Sequence, residues 1–132
     1  MTWDRFALLY ARVEADLAKA LQRGHGLGLS EYRALVQLAG ASGGELRMQE
    51  LAEAVGLNQS SVTRLVARLE EAGMTRRDLC PADRRGVYSV ITDEGRARLA
   101  EATPTYERSL AAALEQADDD PALSRLVLAV RG

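Results

Sequence analysis

The chain has 132 residues, 47% of them hydrophobic and 27% charged, enough to bury a core within one domain or a compact two-lobed unit. A net charge of −2 argues, taken alone, against a nucleic-acid partner; a single cysteine, Cys80, excludes an internal disulfide and, with His25 the only histidine, a cysteine-based zinc site. No apolar run approaches the ~18 residues that span a bilayer, and Trp3, Asp4 and Arg5 lead into an amphipathic pattern rather than a secretory signal, so a cytoplasmic protein is expected.

Trp3, Phe6, Tyr10, Val13, Leu17 and Ala20 recur at alternating three- and four-residue steps, which predicts a helix over about 3–23 with one apolar seam, Leu9 and Leu21 flanking it. Gly24, Gly26 and Gly28 end it. Ser30 is the expected N-cap of a second helix with Tyr32, Leu35, Val36 and Ala39 on its inner face, closed by Gly40, Gly43 and Gly44. A short third helix over 48–55 turns Leu51, Ala52 and Val55 inward, and Gly56 stands where a helix end takes a left-handed residue. Asn58 then caps a fourth helix to about Ala72, buried through Val62, Leu65, Val66 and Leu69. Strand-like pieces at 74–78 and 87–91 flank a charged, turn-rich tip running from Leu79 to Gly86. Thr92 caps a long helix from Asp93 to about Gln116, which Pro104 should kink or interrupt. A last helix carries Leu123, Leu126, Val127 and Val130.

Helix, tight turn, helix and charged hairpin in residues 48–91 are the parts of a winged helix-turn-helix. The fold class is therefore mainly α with a small β-hairpin wing. Charge follows the same division. Six arginines against four acids leave residues 58–85 at +2, and the remainder at −4. On the fourth helix Gln59, Ser60, Thr63, Arg64, Ala67 and Arg68 point outward, richest in hydrogen-bonding groups at the end that enters a major groove. Gln59 suits adenine and Arg64 guanine or phosphate. Ser60, Ser61 and Thr63 suit base edges or phosphates, and Arg68 phosphate. Arg84 and Arg85 at the hairpin tip are placed to reach a minor groove, with Asp83 holding one of them in a forked ion pair. Arg76 and Arg77 at the hairpin root are further candidates for phosphate.

The segments "LSEYRAL", "LAEAVGLNQSSVTRLVARLEEAG" and "RRDLCPADRRGVYSVITDEG" make residues 29–100 resemble the MarR family of bacterial transcriptional regulators. The last segment is the most specific: an Asp-x-Arg tip runs into a strand and then Thr-Asp-Glu-Gly. The resemblance implies a homodimer built from interleaved N- and C-terminal helices, about 1–28 and 96–132, around DNA-reading lobes of about 29–95 within a single domain. It also implies a pseudo-palindromic operator in double-stranded DNA. Many members carry in addition a small aromatic or phenolic effector that relieves repression. Gln59, Ser60, Ser61, Thr63, Arg64 and Arg68 fall on its recognition helix, and Asp83 and Arg85 on its wing pair. Thr75 stands where such proteins carry an aliphatic residue, which should soften the root of the wing.

Tyr10, His25 and Tyr32 are the candidates for an effector site, although tyrosines on helical stripes more often serve core or interface and His25 reads more readily as a plain polar turn residue. No metal and no cofactor are expected. Cys80 reads as a small hairpin residue rather than a thiol sensor, with only Arg84 and Arg85 near it in sequence to favour a thiolate. An enzyme is not expected, since no Gly-rich phosphate loop, no Ser/His/Asp set and no metal-ligand spacing occurs. The competing reading is a winged-helix protein-interaction module without DNA binding. Retention of Gln59, Thr63, Arg64 and the two tip arginines weighs against it.

Overall fold

The computed structural model describes residues 2–79 and 86–132. Its elements are α1 (Thr2–His25), α2 (Leu29–Gly40), a 3-10 turn (Ser42–Gly44), β1 (Glu45–Arg47), α3 (Met48–Val55), α4 (Gln59–Glu71), β2 (Thr75–Leu79), β3 (Val87–Ile91), α5 (Asp93–Asp118) and α6 (Ser124–Arg131). They form two compact units, Leu27–Glu101 and Met1–Gly26 with Ala102–Gly132. Among the described residues no helix is long and apolar enough to cross a membrane.

In the Leu27–Glu101 unit, α2, α3 and α4 pack on one another. Leu35, Leu38, Leu51, Val62, Leu65, Val66 and Leu69 supply the fully buried side chains. On α2 the inner face is Tyr32, Ala34, Leu35 and Leu38, while Val36, expected inside, is exposed. Nor does Ser30 cap α2. The Glu31 carboxylate accepts the Gly28 amide at 2.8 Å, so the helix starts earlier and Ser30 lies in its first turn.

A three-stranded antiparallel sheet in the order β1-β3-β2 completes the unit. The hairpin strands were expected, but β1 was not: three residues carry no alternation of their own, and β1 is a strand only because β3 pairs with it. Two buried hydroxyls, Thr75 Oγ1 and Ser89 Oγ, have no hydrogen-bond partner among the described residues. Each such group ordinarily costs about 1–3 kcal/mol. At Thr75 the aliphatic position that the resemblance implies is filled by a buried hydroxyl without a hydrogen-bond partner among the described residues.

Thr92 fastens α5 to the sheet. Its amide donates to the Met74 carbonyl (3.0 Å), its hydroxyl donates to the Gly73 carbonyl (2.7 Å), and its oxygen accepts the Gly95 amide (3.0 Å). As expected, it is the cap of that helix.

In the other unit, Leu9, Leu114, Ala117, Leu123 and Val127 form a buried cluster, with Val13, Leu110 and Leu126 packed against it. The expected apolar seam of α1 divides in two here. The buried stripe runs through Leu9, Leu17 and Leu21, whereas Trp3, Phe6 and Tyr10 are 72%, 40% and 54% exposed and stack on one another at 5.9 and 6.4 Å. A four-residue step follows the chain's own core, and the aromatic branch of the pattern diverges from it. Leu123, just before α6, and Val127 on it are buried, but Val130 faces outward with Leu128. Pro104 does not interrupt α5. Pro104 and Ala100, whose carbonyl loses its donor, are both exposed, so the missing bond falls on a solvent-facing side of the helix.

Candidate nucleic-acid interface

The geometry of α3 and α4 is set by two local devices. Gly56 has φ +72° and ψ 30°, a left-handed conformation that glycine adopts without strain, and the Leu57 amide donates back to the Ala52 carbonyl at 3.0 Å. Asn58 then caps α4: its side-chain oxygen accepts the Ser61 amide and the Ser60 hydroxyl, each at 2.9 Å. Asn58→Ala is expected to lower stability by about 1 kcal/mol, read as a lower urea midpoint with an unchanged slope. A midpoint equal to wild type would show that water replaces the cap without loss.

With the turn fixed, α4 presents two unlike faces. Val62, Leu65, Val66 and Leu69 are buried, and Gln59, Ser60, Thr63, Arg64, Ala67 and Arg68 are exposed together on the other side. Ser61 is half-buried beside them. The hydroxyls are partly committed: Ser60 donates to Asn58, and Thr63 donates to the Gln59 carbonyl at 2.9 Å. Their oxygens remain acceptors, suited to base amino groups. Arg68 lies in the last turn of α4, where a cation also complements the helix dipole.

The hairpin-root arginines, candidates for phosphate, are exposed and each has an acidic neighbour. Arg77 Nε donates to Glu70 Oε1 at 2.8 Å, which joins β2 to α4, and Arg76 lies 3.8 Å from Asp78. Each carries an acidic neighbour that a phosphate would have to displace. The wing residues Asp83, Arg84 and Arg85, and Cys80, lie outside the described residues.

A residue not singled out from the sequence ties β1 to β3. Arg47 ends β1 and precedes α3; its guanidinium lies 5.6 Å from the centre of the Tyr88 ring, and its Nε donates to the Tyr88 hydroxyl at 3.0 Å. The only trace in sequence is Glu50 three residues on, whose carboxylate accepts the Arg47 amide at 3.0 Å as in a helix start. The partnership with Tyr88 needs the β1–β3 register.

Of the effector candidates, His25 closes α1 rather than lying in a turn, its Nε2 2.7 Å from Thr105 Oγ1. Tyr10 is in the exposed ladder of the same unit. Tyr32 belongs to the core of the other. A groove of about 380 Å³ between α1 and α5 is lined by Arg12, Ala15, Asp16, Ala113, Gln116 and Ala117, so none of the three candidates lines it.

A left-handed turn between two packed helices, followed by an antiparallel hairpin with a third strand on its edge, is a winged helix-turn-helix. Comparison with known proteins sharpens this. A model of the MarR family matches residues 25–86. Sco3205, a MarR family transcriptional regulator from Streptomyces coelicolor solved in complex with DNA, is 31% identical over 98% of this chain and 84% of its own, with a TM-score of 0.82. AbsC, also a MarR family transcriptional regulator of Streptomyces coelicolor, is 28% identical over 99% of this chain and 93% of its own (TM-score 0.80). CouR from Rhodococcus jostii RHA1, solved bound to p-coumaroyl-CoA, is 29% identical over 78% of this chain and 71% of its own (TM-score 0.70). Comparison with curated proteins gives no match. The chain belongs to the MarR family of transcriptional regulators.

Proposed function

We propose that this regulator is a sequence-specific repressor that binds a pseudo-palindromic operator as a homodimer, with Gln59, Ser60, Ser61, Thr63, Arg64 and Arg68 reading or gripping one major groove per protomer. The observation that carries the reading is the exposed polar and basic face of α4, held by the Gly56 turn and the Asn58 cap. The DNA complex of Sco3205 supports it. Asp83, Arg84 and Arg85 are assigned to the adjacent minor groove on their sequence alone, and the Leu27–Glu101 unit is taken as the DNA-reading lobe.

Dimerisation is assigned to α1, α6 and the later part of α5. The exposed Trp3, Phe6, Tyr10, Leu128 and Val130 support it, because exposed apolar patches of this kind mark interaction surfaces. A small aromatic or phenolic effector is the proposed release signal, supported by the p-coumaroyl-CoA bound to CouR. It acts by changing the separation of the two lobes, since half-sites one helical turn apart, roughly 34–36 Å, tolerate little rotation. The protein works in the cytoplasm and catalyses no reaction.

Selection of bound duplexes from a random library tests the reading. Wild type is expected to enrich a pseudo-palindrome. Arg64→Ala is expected to bind the winning duplex about 1–3 kcal/mol more weakly and to relax preference at one base pair in each half-site. Enrichment of no sequence at physiological salt would hand the lead to a protein-interaction role for the same face.

A further inference from the structure

Arg47 is an exposed arginine held in one place. Its Nε donates to the Tyr88 hydroxyl at 3.0 Å, and the guanidinium lies over the Tyr88 ring with 5.6 Å to the centroid. Long exposed side chains ordinarily sample many rotamers, and ordering one before a ligand arrives removes that entropic cost from association. The two contacts use the two surfaces of arginine that lysine lacks, a directional Nε–H and a planar face.

The position of this side chain gives the rigidity a use. Arg47 stands immediately before α3, the helix that crosses the sugar-phosphate backbone when its partner enters the major groove. Tyr88 is on β3, the central strand of the wing, in register with Arg47 on one side and Asp78 on the other. Arg77, on the same hairpin, is held by Glu70.

We propose that Arg47 is a DNA-backbone contact, a guanidinium oriented by Tyr88 to meet a phosphate flanking the major-groove site. The assignment rests on the DNA-binding reading above. It makes Arg47 a residue of affinity and register, without sequence information, and Tyr88 a positioning residue.

Salt titrations separate this role from a structural one. The probes are the duplex recovered from the random-library selection and a scrambled duplex of the same length. Arg47→Ala is expected to weaken both by the same factor and to make the slope of log K against log salt about 1.8 shallower for the dimer, about 0.9 for the one phosphate lost by each protomer. Arg47→Lys keeps the charge and should restore the slope. Tyr88→Phe should keep the slope, weaken both duplexes severalfold, and have no effect in an Arg47→Ala background. Arg64→Ala, by contrast, should reduce discrimination between the two duplexes. A wild-type slope in Arg47→Ala, or in Arg47→Gln should the alanine variant fail to fold, overturns the proposal and leaves a strand staple in its place. Failure of wild type to bind any duplex overturns the DNA-binding reading itself, and this contact with it.

Discussion

Gly95→Ala is expected to destabilise the protein by about 3 kcal/mol, a large effect for a single residue of the Leu27–Glu101 unit. Gly95 is buried in the first turn of α5, where the helix rests on the root of the hairpin. A Cβ there would fall well inside contact distance of the Met74 carbonyl oxygen and 2.9 Å from Ile91 Cγ1. Alanine ordinarily gains up to about 1 kcal/mol over glycine inside a helix, so the sign depends on which effect is larger. Backbone oxygen does not swing aside as a side-chain tip does. Relief therefore requires α5 to lift, which strains the Thr92 amide bond to that same Met74 carbonyl and the Thr92 hydroxyl bond to Gly73. Thermal unfolding should show Tm lower by about 10 °C in a chain of this size. A Tm at or above that of wild type would mean that the helix start adjusts freely, and the close packing would lose its importance.

Phe6→Glu is expected to yield a monomer and to weaken operator binding by about 10²–10⁴-fold, since a second half-site gives its benefit only when both lobes belong to one molecule. Phe6 is the middle ring of the Trp3–Phe6–Tyr10 ladder and already 40% exposed, so the substitution leaves the cluster around Leu9, Leu114 and Val127 untouched. In the proposed dimer the same site would bury a carboxylate without a partner, at a cost of several kcal/mol. Light scattering at micromolar concentration gives the mass, and circular dichroism checks that each chain remains folded. A dimer mass for the variant would remove the ladder from the interface.

The parts of this structure that sequence reading found were those set by local chemistry. Gly56 needs only its own backbone to be left-handed, and Asn58 reaches only three residues ahead, so α3, its turn and the start of α4 fall where the spacing placed them. The buried stripe of α4 followed for the same reason. Errors arose wherever a distant residue decides. β1 exists through its pairing with β3, and Arg47 acquires meaning from Tyr88 forty-one positions away. Helix α1 is the more instructive case. A single apolar pattern serves two purposes there, and periodicity cannot separate residues that cover the chain's own core from those left outside it. Val36 and Val130 fall into the same class. At α2, glycine took the cap position expected for Ser30 because Glu31 supplied the capping oxygen.

The ion pair between Glu70 and Arg77 has a mechanical consequence. It bolts the last turns of α4 to β2 at 2.8 Å, in a pair whose carboxylate is only 26% exposed. The helix proposed for the major groove and the root of the hairpin proposed for the minor groove are thereby linked, and together would act as a gauge. Such a gauge measures the span between neighbouring grooves. DNA that must be twisted or narrowed to match it is bound less tightly, even at base pairs no side chain touches. Part of the operator's information would then lie in stiffness and groove width, outside the letters that Gln59 and Arg64 face.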